Sequence, residues 1–232
     1  MSEMSIILII CSVCAFIPAI VFHEVMHGFA AYKLGDSTAK HQGRLSLNPL
    51  RHIDMFGTVI LPGLLILMGG PVFGYAKPVP YNPNNLKNRR VGDVIVGLAG
   101  PFANLLLALL GALLVFLLQG VYVSALSNQL INPSVSLFFV YFYALFLPRF
   151  ILINLYLMFF NLLPIPPLDG SSIFALLCPR KYLPVYYRVQ QYALPIFLIV
   201  VFALPYLFHI DLLGWYLSVT AGNLANVLLS WA

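Results

Sequence analysis

The residues best equipped for chemistry stand together near the start of the chain, in His23-Glu24-Val25-Met26-His27. On a helix, side chains four apart share a face, so His23 and His27 can hold one metal ion between them. Zinc suits such a pair, and Glu24 beside it can accept a proton from a water activated by the ion. The stretch around these residues is apolar, where an ionisable side chain costs at least a few kcal/mol unless paired or hydrated. With only two glutamates and five histidines in 232 residues, the spacing is a specific signal.

An open zinc site takes three protein ligands. The arrangement HExxHxxGxxH is excluded, because Ala30 and Lys33 stand where it needs glycine and histidine. No glutamate follows Glu24, which leaves Asp36, Asp54, Asp93, Asp169 and Asp211. Asp36, Asp54 and Asp93 fall in basic or turn segments and read as solvated surface groups. Asp211 falls in the turn between the last two expected helices, on their outer side. Asp169 remains, at the end of Asn161-Leu162-Leu163-Pro164-Ile165-Pro166-Pro167-Leu168-Asp169-Gly170, where three prolines break a long apolar helix and force extended backbone. The alternative for Asp169 is a cap on the following SSIFALL stretch. Asn154 and Asn161 are two helical turns apart and share a face. Buried amides in membrane helices commonly link helices, which is the favoured reading for Asn154; for Asn161 a role in the site is equally open, and Asn104 is ambiguous between the two, with Gly97, Gly100 and Ala103 nearby suggesting close helix packing.

The elements that must position these groups are membrane helices. Hydrophobic residues make up 61% of the chain and charged residues 8%, with a mean hydropathy of +0.94. A water-facing domain carries about a quarter charged residues, so a soluble globular fold is excluded. The net charge of +5 reads as cytoplasmic loop bias and not as a nucleic-acid patch, since no aromatic-interleaved basic stretch exists. Cys11, Cys14 and Cys178 lie in or beside apolar segments and predict no disulfide. The first apolar run lacks a basic leader and reads as a retained helix.

The sequence predicts an all-α polytopic membrane protein as a single domain over 1–232. Five spanning helices are expected, at 5–32, 91–118, 137–163, 189–208 and 212–231. The core is 5–178, and 189–231 forms a C-terminal helical pair. The run 55–71, with Gly57, Pro62, Gly63, Gly69, Gly70 and Pro71, reads as a re-entrant segment. Alternation in Arg44-Leu45-Ser46-Leu47, followed by Asn48-Pro49, predicts a short membrane-associated β-hairpin within a hairpin and re-entrant region at 40–90. Of the 12 basic residues, 11 fall in three loops: Lys33 to Arg51, Lys77 to Arg90, and Arg180 to Arg188. If 55–71 dips in and returns, all three loops are cytoplasmic, the N-terminus is outside and the C-terminus inside. The same topology brings His23, His27 and Asp169 to the inner ends of their helices.

These stretches, HEVMH through LGD, GRLSLNPLRHID, AKPVPYNP, AGPFANLLLA and NLLPIPPLDG, resemble the site-2 protease family of intramembrane zinc metalloproteases, in its small branch without PDZ or CBS domains. The resemblance covers most of the chain; LDGS replaces the LDGG of many members. It implies that His23, His27 and Asp169 bind one zinc ion, that Glu24 is the general base, and that Asn161 assists near the substrate or oxyanion. The expected activity is cleavage of a transmembrane segment of a membrane-protein substrate near the cytoplasmic face of a prokaryotic cell membrane. The partners are then that substrate and the lipid bilayer, with no nucleic acid. Strand addition near Leu45–Leu47 would hold the unwound substrate. The alternative is a membrane metal carrier using the same ligands.

Overall fold

The computed structural model describes residues 3–60, 63–64, 76–127, 133–193, 195–197, 201 and 207–230. Helix α1 is Glu3–Lys33 and contains Pro18; a short α2, Thr38–His41, follows; α3 is Arg89–Ser127 and contains Pro101. Inside a bilayer no water competes for backbone groups, so apolar segments close their hydrogen bonds within a helix and absorb such prolines. With 31 and 39 residues, α1 and α3 are about 46 and 58 Å long, longer than a hydrocarbon core of ~30 Å.

Helix α4, Pro133–Tyr141, runs through a π-helical turn at Phe142–Phe146 into α5, Leu147–Asn161. Pro148, in the first turn of α5, has no N–H to donate one turn back, which accounts for the widened turn before it. Two short helices follow, α6 at Ser171–Leu177 and α7 at Leu183–Gln191. The last rod is α8, Leu212–Leu217, a π-helical turn at Ser218–Gly222 and α9, Asn223–Leu229. Asp211 caps α8, its Oδ1 accepting the Gly214 N–H at 2.7 Å.

Among the described residues, four helical stretches are long and apolar enough to cross a membrane: Glu3–Lys33, Arg89–Leu126, Val135–Asn161 and Leu212–Leu229. The fifth expected helix, 189–208, lies largely outside the described residues. Helices α1, α3 and α5 pack on one another. Their faces are inverted relative to a water-soluble bundle. Ala15, Ala19, Gly28, Ala31, Ala103 and Ala108 are buried, with Asn104 and Asn154 fully enclosed, while Ile10, Val13, Leu113, Phe116 and Leu117 point outward. Small inward residues let helices approach closely where lipid gives no hydrophobic drive between them.

The three basic loops meet at one end of this bundle. Arg44 Nη2 donates to Lys77 O at 2.7 Å, Lys87 N to Leu34 O at 3.1 Å, and Arg90 Nη2 to Cys178 O at 3.2 Å.

The expected β-hairpin is not formed: among the described residues there is no β-strand. Arg44, in the alternating stretch, is buried, and its guanidinium is committed to carbonyls of residues 77 and 78. Asn48 and Pro49 open a 3-10 turn, Pro49–Arg51, and His52 Nε2 bonds the Ser46 carbonyl at 2.8 Å, which a strand partner would need. The fold is all-helical. Of the expected re-entrant run, Met55–Ile60 forms a π-helical turn and 63–64 is helical; the remainder lies outside the described residues.

Candidate active site

Helix α1 places His23 and His27 one turn apart on its inward face, both buried. The chain after α5 places Asp169 against them. Asp169 Oδ2 is buried, 3.0 Å from His23 Nε2 and 3.3 Å from His27 Nε2, and no described residue donates a well-directed hydrogen bond to it. Asp169 does not cap α6, whose N-cap is Gly170 without a side-chain bond.

The protons on the two imidazoles follow from their other partners. Asn104 Nδ2 donates to Ala19 O and to Asn154 Oδ1, each at 3.0 Å, so the amide atom facing His23 is the acceptor Oδ1, 2.6 Å from His23 Nδ1. Asn154 Nδ2 in turn donates to Phe150 O at 2.8 Å. His27 Nδ1 faces only a carbonyl, Val96 O, at 2.7 Å. Both Nδ1 atoms are therefore donors, and in the neutral imidazole each Nε2 then turns a lone pair toward the Asp169 carboxylate. Three potential ligand atoms within 4.8 Å of one another fit a cation. The donor set, two imidazoles and one carboxylate, suits zinc with an open position.

Two glycines make this closeness possible. A Cβ on Gly100 would collide with His27 Nε2 and would stand 2.7 Å from His23 Cε1, so α3 can pass beside the imidazoles only as glycine there. A Cβ on Gly170 would collide with Leu162 O, across the turn that presents Asp169. That turn is tied by Gly170 N to Asn161 O at 2.7 Å and by Ser172 Oγ to Asp169 O at 2.7 Å.

Glu24 lies on the neighbouring face. Its Oε2 accepts the Val79 N–H at 2.9 Å, from the segment that leads into α3. A cavity of about 200 Å³ opens here, lined by Glu24, His27 and Asp169 and also by Tyr81, Asp93 and Tyr186. Asn161 does not line it: its Nδ2 donates to Leu157 O on its own helix at 3.0 Å.

Sequence reasoning left Asn104 undecided and missed Val79, Gly100 and the cavity residues. The close small residues of AGPFAN signalled tight packing there, without saying against what. Asp36, read as solvated, is fully enclosed after the turn at Gly35. Burial opposes its charge, but hydrogen bonds from Thr38, Asn85 and Asn82 outweigh that and hold its carboxyl below the usual carboxylate range.

The model for Peptidase family M50 matches residues 11–204. The provisionally named zinc metalloprotease YwhC of Bacillus subtilis strain 168 is 39% identical over 183 residues, covering 79% of this chain and 76% of that protein. Rip2 of Mycolicibacterium smegmatis, named in the same way, is 31% identical over 152 residues, 66% of this chain and 51% of its own. Rip2 of Mycobacterium tuberculosis H37Rv is 29% identical over 203 residues, 87% and 68% of the two chains. No solved structure gives a significant match. A family model spanning most of the chain, a relative at 39% identity and four helices apolar enough for a bilayer lead to one assignment: the chain belongs to peptidase family M50, the site-2 proteases, and is a zinc metalloprotease of the membrane.

Proposed function

We propose that this single-domain protein is an intramembrane endopeptidase that cleaves a transmembrane segment of another membrane protein, with His23, His27 and Asp169 holding one zinc ion and Glu24 as general base. The observation that carries the reading is the convergence of two imidazole Nε2 atoms on one buried carboxylate oxygen to which no described residue makes a well-directed hydrogen bond. The clustering of the three basic loops at the same end of the bundle supports a site opening toward the cytoplasmic side of a prokaryotic cell membrane. A second, apolar cavity of about 470 Å³ is lined by Leu163, Ile165 and Pro166 of the segment that leads to Asp169, with Ala193, Phe197 and Tyr216, and suits an apolar substrate.

Zinc held by these residues supplies Lewis acidity, lowering the pKa of a water toward ~7 and polarising the scissile carbonyl. Glu24 accepts a proton from the attacking water as its oxygen bonds to the carbonyl carbon. Glu24 then returns that proton to the amide nitrogen as the C–N bond breaks. Asn104 and the Val96 carbonyl hold the two imidazoles in the tautomer that this chemistry requires. Asn161 supports the turn of Asp169 through its carbonyl, and its amide reaches a substrate only after rotating off Leu157 O.

The test is zinc content of the detergent-purified protein beside its variants, with cleavage of a quenched-fluorescent peptide carrying a ~20-residue apolar segment. About one zinc per chain, lost in His23→Ala and Asp169→Ala, is expected. Glu24→Gln is expected to keep zinc and lose about 10²- to 10⁴-fold in turnover. Full zinc retention in Asp169→Ala sinks the ligand set, and transport of zinc unaffected by Glu24→Gln favours a carrier.

A further inference from the structure

The segment Lys77-Pro78-Val79-Pro80-Tyr81 crosses the active-site cavity, and its composition is unusual for a segment that binds through its backbone. Proline has no N–H, so Val79 is the sole backbone donor within 78–80, and that donor is spent on Glu24 Oε2 at 2.9 Å. The Val79 side chain is buried; a Cβ on Gly28 of α1 would stand 2.7 Å from its Cγ1, so the strap lies flush on the helix that carries Glu24.

Both ends of the strap are held by buried charges. On one side Arg44 Nη2 donates to Lys77 O at 2.7 Å and to Pro78 O at 3.3 Å. On the other, Asp36 Oδ2 accepts from Asn82 N at 2.8 Å. Arg44 is only 8% exposed, and among the described residues no carboxylate pairs with it. A buried guanidinium without a counterion is costly, and here its bonds go to the strap's carbonyls.

We infer that Arg44 is a positioning residue for the hydrolysis: it fixes the strap so that the Val79 N–H immobilises one oxygen of Glu24 and leaves the other facing the substrate water. The inference rests on Glu24 acting as the base. It makes the strap part of the working machinery and not a plug that must leave. The two roles predict opposite signs for the same variant.

The experiment uses the full-length zinc-loaded protein and measures amide exchange at ¹⁵N-labelled Val79 together with turnover of the quenched-fluorescent transmembrane peptide. Arg44→Ala is expected to speed Val79 exchange at least about tenfold and to lower kcat about tenfold, with KM within about twofold and zinc content unchanged. Val79→Pro removes the N–H while keeping the extended backbone that Pro80 already imposes, and is expected to lower kcat by a similar factor. Arg44→Lys, which keeps a donor but loses the fork, is expected to fall between parent and Arg44→Ala. Unchanged Val79 protection in Arg44→Ala overturns the inference even if Val79→Pro fails to fold. Turnover equal to or above the parent in either variant also overturns it, the second outcome identifying the strap as a block. Activity retained in Glu24→Gln sinks the function proposed above; activity lost in Glu24→Gln but kept in Arg44→Ala sinks only the role of the strap. A parent inert toward the peptide counts against the proteolytic reading and leaves Val79 exchange to decide the anchoring.

Discussion

Replacing Asn104 by alanine separates orientation of the proposed zinc ligand His23 from packing of the helices around it. Asn104 makes three contacts: it accepts from His23 Nδ1 at 2.6 Å and donates to Ala19 O and Asn154 Oδ1 at 3.0 Å. Interhelical hydrogen bonds in membrane bundles are worth about 0.6 kcal/mol on average and up to ~1.7, so losing three costs roughly 2–5 kcal/mol of stability. Loss of the bond that orients a ligating imidazole weakens metal affinity about 10- to 100-fold. Asn154→Ala loses two bonds of the same network but leaves His23 on Asn104. It is expected to destabilise the bundle while keeping zinc affinity within about threefold of the parent. Asn104→Asp keeps an acceptor for His23 and loses both donors, so it should retain zinc at a cost in stability. The assay is chelator competition for zinc at fixed pH and salt on detergent-purified protein, beside thermal unfolding of the same samples. Equal weakening of zinc in Asn104→Ala and Asn154→Ala would refute the orienting role and leave only packing.

Gly100→Ala places a methyl group against His27 Nε2 and should abolish stoichiometric zinc, read by metal analysis, without unfolding the bundle. Gly170→Ala pushes the Asp169 turn off Leu162 O and should weaken zinc and lower the unfolding temperature together. Because the Asp36 carboxyl is held below its usual value of ~3.9, its contribution is fully present above that pH and is lost as pH falls through the folded value. Unfolding measured at neutral pH should show Asp36→Asn less stable by roughly 1.5–3 kcal/mol, with the gap closing on acidification.

The legible parts of the site were those carried by residue type. HExxH and Asp169 are scarce groups in an apolar chain, and scarcity makes position informative. The spans were legible because lipid exposure demands long apolar runs, and the expected helix at 91–118 falls inside Arg89–Ser127. What the sequence hid was carried by backbone or by buried pairing. A donor from Val79 has no side-chain signature, and any residue but proline supplies it. Asn104 and Asn154 look alike in sequence, and only the packing of α1, α3 and α5 decides that one of them faces His23. Arg44-Leu45-Ser46-Leu47 alternates as a strand does, but with Arg44 inside and Leu47 outside, 57% exposed, the alternation reflects an anchor and not a sheet. Asp36 misled in the same way, since a charge in a basic turn reads as solvated until the chain folds back over it.

The three candidate ligands come from distant parts of one chain, the imidazoles from α1 and the carboxylate from beyond α5. His27 and Asp169 are about 140 positions apart, so at ~5–20 residues per second the ribosome needs roughly 7–28 s after the first to make the second. Throughout that interval the nascent chain carries the histidine pair and Glu24 but lacks the proposed third ligand. On the proposed ligand set the protease is thereby inert among its neighbours until α3 and α5 are in place, and a chain that terminates early stays inert for good.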